Sequence, residues 1–172
     1  DLPPCYIYLD KHIPTGAGLG GGSSDAAFMM RLVNENFHLG LTVEDMKNRL
    51  VHIGADCPFF VEDETAFATG IGDELEPMTV ELKDKWLILV KPRCAVPTRE
   101  AYARVPLRDR APLDLRKVLQ MPVTEWRGRV ENDFEKSVFP IYPEIEGIKH
   151  TLYDMHALYA SMSGSGSAVY GI

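Results

Sequence analysis

The chain has 172 residues, 45% of them hydrophobic, enough for a sizeable core and too apolar for wholesale disorder. With 18 Lys and Arg against 25 Asp and Glu, the formal net charge is −7. That balance argues against nucleic acid or a membrane surface as partner, while a local site can still hold a small anion. Three cysteines (Cys5, Cys57, Cys94) are odd in number and form no CxxC pair, so a reducing, cytoplasmic compartment is expected. The five histidines have no metal-binding spacing, so no metal ligand set is expected, and no apolar run is long enough to span a bilayer.

In chain order, CYIYLDK (5–11) alternates Cys5, Ile7 and Leu9 against Tyr6, Tyr8 and Asp10, which predicts a half-buried strand. The glycine-rich stretch IPTGAGLGGGSSDAA (13–27) follows, and Ala26, Met30, Val33 and Phe37 then predict a helix over 24–37. TVED (42–45) fits a capping box with Thr42 as N-cap and Asp45 in the Glu position; Val43, Met46, Leu50 and Ile53 form that helix's stripe and Gly54 ends it. GADCPFF (54–60) opens a short third helix. TAFATG (65–70) and WLILVKP (86–92) read as strands, the second buried on both faces because it is continuously apolar. Between them VELKDK (80–85) reads as a domain junction, giving parts 1–82 and 83–172. Thr98 caps a short helix over 98–104, RVPLRDRAPLD (104–114) is loop-like, helical turns are expected at 114–120 and 131–139, and a helix at 143–155. ALYASMSGSGSAVYGI (157–172) closes as strand, glycine turn and strand.

A strand, a glycine loop and a helix in that order can cradle a phosphate. Successive N–H groups in the turn form an anion nest, and the helix start adds free N–H groups and a positive partial charge. Ser23 and Ser24 add hydroxyls able to bond the anion or orient its metal ion. Known phosphate loops fit poorly. No lysine follows the glycines, as GxxxxGK[ST] requires, and the protein-kinase motif set is absent. Gly16, Gly18 and Gly21 match GxGxxG, but Pro14 and Thr15 separate them from the strand. A flexible linker is the bland alternative. Asp56, between Ala55 and the Cys57–Pro58 pair, reads first as a helix N-cap and second as a carboxylate able to take a hydroxyl proton. SGSGSAVYG (163–171) reads as a hairpin turn or as a second backbone surface against the first loop, and NDFE (132–135) as an Asn-capped helix start.

Together these stretches resemble the GHMP kinase superfamily. Its Pro-x-x-x-Gly-Leu-Gly-x-x-Ser-Ser signature is here PTGAGLGGGSSDAA and its C-terminal glycine-rich turn is SGSGSAVYG; GADCPFF, GIGDELEPM, VPT (96–98) and NDFE match one branch of it. The resemblance implies an α+β fold in two parts, ribosomal-protein-S5-like and ferredoxin-like, with the catalytic cleft between them. It implies ATP-dependent phosphorylation of an alcohol, with cytidine diphosphate methylerythritol as the small-molecule substrate and Mg²⁺ with the nucleotide. It assigns Pro14, Thr15, Gly16, Ala17, Gly18, Leu19, Gly20, Gly21, Gly22, Ser23 and Ser24 to the ATP phosphate loop, and Asp56 to catalysis. Thr98 and Tyr102 fall at the cytidine pocket. The family's catalytic lysine stands upstream of the first strand. Lys11 is not at that position, and the chain opens without methionine, so a part of a longer protein is expected. Rival readings are another GHMP small-molecule kinase of the homoserine or mevalonate type, a non-catalytic nucleotide-binding module, and a dinucleotide-binding oxidoreductase domain.

Overall fold

The computed structural model describes residues 3–105 and 114–172, so most of the loop expected over 104–114 lies outside the described residues. The chain divides into two compact units, one of residues up to Pro14 with Gly20–Thr79, the other of Thr15–Leu19 with Val80–Ile172.

In the first unit, helices α1 (Gly21–Asn36), α2 (Val43–Leu50) and α3 (Phe59–Glu62) pack on one another, followed by a hairpin of β1 (Ala66–Thr69) and β2 (Glu74–Pro77). The hairpin is antiparallel, with Ala66 opposite Pro77 and Thr69 opposite Glu74. The helices enclose Ala27, Met46, Leu50, Cys57 and Val61, with Phe60 and Met30 packed on the rim. α1 starts three residues before the expected position. Gly20 turns the chain at φ 64, and the Ser24 N–H reaches Gly20 O at 2.8 Å, so two glycines that weaken a helix by propensity are carried into its first turn.

α2 has the expected capping box: the Asp45 N–H donates to Thr42 Oγ1 at 3.1 Å and the Thr42 N–H to Asp45 Oδ2 at 3.0 Å. The Thr42 hydroxyl, donating to the same carboxylate, holds the Asp45 carboxyl below its ordinary value. Thr42→Ala is expected to cost about 1 kcal/mol, read as a lower urea midpoint at unchanged slope.

The strand expected at 5–11 does not form. Tyr6, Ile7, Tyr8 and Leu9 are exposed, and no strand among the described residues pairs with them. Alternation marks a segment suited to a sheet, but the ladder itself needs a neighbouring strand. β2 was not expected; its Glu- and Pro-containing sequence has no strand pattern, and cross-strand pairing with β1 supplies what propensity lacks.

In the second unit β3 (Ile88–Val90) is followed by α4 (Thr98–Ala103), α5 (Leu115–Leu119), a 3-10 turn (Val123–Glu125), α6 (Glu135–Val138), α7 (Pro143–Asp154), β4 (Ala160–Met162) and β5 (Val169–Gly171). The sheet order is β3-β5-β4, antiparallel throughout, with α7 against β4 and β5. The core is built from Val96, Ala101, Val138, Ile145, Leu152, Ala160, Met162 and Val169, with a second cluster around Trp126 and Tyr159. β3 is not buried on both faces: it is the sheet's edge, and Trp86, Leu87, Ile88 and Leu89 are exposed. An apolar run signals affinity for a covering layer without supplying one. Thr98 is not an N-cap; that place is taken by Pro97, and Thr98 is the first helical residue. No helix among the described residues is long and apolar enough to cross a membrane.

Candidate active site

Residues 14–24 were expected to act as one loop; Thr15–Leu19 belong to the second unit, Pro14 and Gly20–Ser24 to the first. In the second unit the loop segment Thr15–Leu19 is gripped by the turn 163–167. Ser163 Oγ donates to Gly18 O at 2.6 Å, and the Ala168 N–H donates to Ala17 O at 2.9 Å. The fit is close: a Cβ on Gly18 would lie 2.0 Å from Ser163 O. A trans peptide points its N–H opposite to its C=O. With the Ala17 and Gly18 carbonyls tied to the turn, the N–H groups of Gly18 and Leu19 face away from it. Neither donates to an acceptor among the described residues.

In the first unit Gly20 and the start of α1 continue the same backbone. The N–H groups of Gly21, Gly22 and Ser23 precede the first helical bond, from Ser24, and meet no acceptor among the described residues, as helix starts require. Gly16, Gly18 and Gly20 have φ of 66°, 72° and 64°, the every-other-residue left-handed pattern of an anion-binding nest. The glycines have different reasons. A Cβ on Gly20 would lie 2.6 Å from the Phe60 ring. One on Gly22 would meet nothing within 4 Å, and Gly22 has no left-handed φ. The protein's own packing and backbone therefore do not require glycine at 22. Lys11 ion-pairs with Asp25 beside this turn, its Nζ 3.2 Å from where a Gly21 Cβ would stand.

Asp56 sits in a turn between α2 and α3 and is exposed. It is not the helix cap: the N-cap of α3 is Pro58, with no side-chain capping bond. Its carboxylate makes no hydrogen bond or ion pair among the described residues. The residues around it are fixed nonetheless. Cys57 is buried in the core, its N–H bonded to Gly54 O at 3.0 Å, and Phe60, four residues on, covers Gly20. On its other side lies Gly72 of the β1–β2 loop, where a Cβ would stand 3.4 Å from Asp56 Oδ1. The carboxylate is thus placed by a hydrogen-bonded turn and left without a protein partner among the described residues.

In the second unit Thr98 and Tyr102 lie four residues apart on α4, which puts them on one face. Thr98 Oγ1 is 3.3 Å from Ser165 Oγ in the 163–167 turn. Tyr102 is exposed, its ring meeting Phe134 edge-on at 4.7 Å between centroids. Sequence reasoning found no chemistry in NDFE, yet it supplies the turn's other supports. Asn132 Nδ2 donates to Met162 O at 2.8 Å and to Gly164 O at 2.7 Å, while Glu135 Oε1 accepts the Met162 N–H at 2.9 Å.

The class of protein follows from these pieces. The chain belongs to the GHMP kinase family: the GHMP kinases N terminal domain model matches residues 1–63 and the GHMP kinases C terminal model residues 123–172. At the level of single relatives, it is 52% identical over 173 residues to the 4-diphosphocytidyl-2-C-methyl-D-erythritol kinase of Parabacteroides distasonis, over 100% of this chain and 63% of the relative. A crystal structure of 4-(cytidine 5'-diphospho)-2C-methyl-D-erythritol kinase superposes with a TM-score of 0.76 at 30% identity, covering 95% of this chain and 59% of that one. A homoserine kinase structure from Cytophaga hutchinsonii gives a TM-score of 0.69 at 17% identity, over 94% of this chain and 57% of that one, a likeness of fold alone. The α+β GHMP kinase fold expected from the sequence holds. The chain spans about three fifths of the length of the curated relatives it matches.

Proposed function

We propose that the protein carrying this chain is a kinase that transfers the γ-phosphoryl group of ATP to a hydroxyl of 4-diphosphocytidyl-2-C-methyl-D-erythritol. Residues Pro14–Ser24 hold the ATP phosphates, Asp56 serves the acceptor hydroxyl, and Thr98 and Tyr102 line the cytidine side. Identity to the Parabacteroides distasonis relative over the full chain favours this substrate over homoserine. Three free cysteines suit a reducing cytoplasm.

The observation that carries the reading is Gly22. It has no packing or φ reason to be glycine, and glycine in a helix costs about 0.5–1 kcal/mol relative to alanine. Beside free N–H groups, the bare backbone is best explained by a ligand that must approach it. The same donor set fits a polyphosphate: several N–H groups and the positive end of a 16-residue helix, with no side chain in the way. Mg²⁺ fits as a hard cation that takes oxygen ligands, for which the Ser23 and Ser24 hydroxyls are suitable donors beside the phosphates; when bound it would neutralise charge on them. Asp56 accepts the acceptor hydroxyl's proton as the new oxygen–phosphorus bond forms and the bond to the ADP oxygen breaks.

Gly22→Ala in the full-length protein tests the loop. It should leave the fold equal or up to about 1 kcal/mol more stable while weakening ATP binding. Unchanged ATP affinity with raised stability would count against the phosphate-loop assignment. Turnover of cytidine diphosphate methylerythritol, compared with homoserine and mevalonate, tests the substrate; no turnover of the first refutes it.

A further inference from the structure

The 163–167 turn grips the loop segment 15–19 and is itself held by polar contacts. It consists of Ser163, Gly164, Ser165, Gly166 and Ser167, with no apolar side chain to anchor it. Its conformation is fixed by polar side chains from elsewhere in the second unit. Asn132 donates both amide hydrogens, to Met162 O and Gly164 O, and its own Oδ1 accepts the Phe134 N–H at 3.0 Å. Glu135 accepts from the Met162 N–H and from Ser161 Oγ through one oxygen, and ion-pairs with Lys149 through the other. Ser167 Oγ donates to Cys94 O at 2.7 Å.

Glu135 is nearly buried, its side chain 11% exposed. Removing a carboxylate from water is expensive, and a well-packed apolar side chain of similar size often serves stability as well or better. A buried acid at this point is better explained by what it aligns than by what it stabilises. The chain of bonds runs from Asn132 and Glu135 to Met162 and Gly164, through Ser163 Oγ to Gly18 O, and so to the direction of the Leu19 N–H.

We propose that Asn132, backed by Glu135, is a positioning residue for the nucleotide. It touches neither substrate; it fixes the 163–167 turn so that Ser163 orients the Gly18 peptide and the N–H groups that receive a phosphate. The proposal rests on the phosphate-loop reading given above.

The test uses the full-length protein and four variants, Asn132→Ala, Asn132→Asp, Ser163→Ala and the Asn132→Ala/Ser163→Ala double, with Gly20→Val as the loop control. Aspartate keeps the shape and the acceptor for Phe134 but cannot donate to the two carbonyls, so it carries the test if the alanine variant folds poorly. Dissociation constants for ATP are measured by calorimetry, and KM for ATP, KM for the alcohol and kcat by steady-state assay. Each Asn132 variant should raise the ATP dissociation constant about tenfold and change the KM for the alcohol by a markedly smaller factor. The double variant should be no weaker for ATP than the weaker of its two single variants, because both residues act through one contact. A purely structural role would lower the melting temperature without this split between the two substrates. Multiplicative losses in the double variant, or unchanged ATP affinity in the Asn132 variants while Gly20→Val weakens it, would overturn the proposal and leave the loop reading standing. Unchanged affinity in Gly20→Val as well would remove the loop reading and the proposal with it.

Discussion

Asp56→Asn in the full-length protein should slow turnover about 10²–10⁴-fold while leaving ATP affinity within a few-fold of wild type. The magnitude is what a positioned proton acceptor contributes to a transition state. Asparagine matches aspartate in shape but cannot take the hydroxyl proton, so the loss falls on kcat. The structure removes the main confounding effect. An aspartate at a helix start is ordinarily suspected of capping, and replacing a cap costs about 1 kcal/mol of stability. Here α3 is entered through Pro58 with no side-chain cap, and the Asp56 carboxylate has no hydrogen bond or ion pair to lose among the described residues. The melting temperature should therefore stay within the small range of surface substitutions. A stability loss with turnover retained would show that Asp56 does structural work the geometry does not account for, and it would remove Asp56 from the chemistry.

What the sequence revealed and what it concealed have different physical origins. The capping box at Thr42 and Asp45 was legible because its interactions span four adjacent residues. The glycine turn before α1 was legible for the same reason: glycine at alternating positions before an apolar helical stripe is a local pattern, and the observed left-handed φ at Gly16, Gly18 and Gly20 is its direct expression. The errors lie where an outcome depends on a distant partner. Among the described residues, CYIYLDK has the pattern of a strand and no strand beside it, and the β3 region has the apolarity of a buried strand and an uncovered edge. The roles of Asn132 and Glu135 were invisible for a related reason. Their partners at Ser161–Gly164 are about 30 residues away, and hydrogen bonds to backbone leave no signature in the partner's side chains. Asp56 is an intermediate case. Its residue type and neighbours suggested a cap, and only the position of Pro58 in the helix start separates the cap from a free carboxylate.

Gly18→Ala should have the largest effect of any single methyl added to the loop. The added carbon would stand 2.0 Å from Ser163 O, 2.9 Å from Gly166 O and 3.0 Å from Gly166 N, all backbone atoms that no rotamer change can move. Gly18 also has φ of 72°, a conformation alanine adopts only with strain of about 1 kcal/mol or more. Either the loop segment 15–19 must leave the turn or the turn itself must shift. Both outcomes break the Ser163 Oγ–Gly18 O bond and release the peptide that aims the Leu19 N–H. Loss of ATP affinity should exceed about 100-fold, well above the effect of Gly22→Ala, whose methyl meets only open space. Amide hydrogen exchange locates the damage. The Ala168 N–H, bonded to Ala17 O, should exchange faster in the variant, while the Asp45 N–H of the α2 capping box should not change. Wild-type ATP affinity in Gly18→Ala would mean that the grip of the turn on the loop is dispensable for nucleotide binding. It would also separate two roles that the sequence pattern joins: glycine needed so that the protein can close on itself, as at Gly18, and glycine needed so that a ligand can approach, as at Gly22.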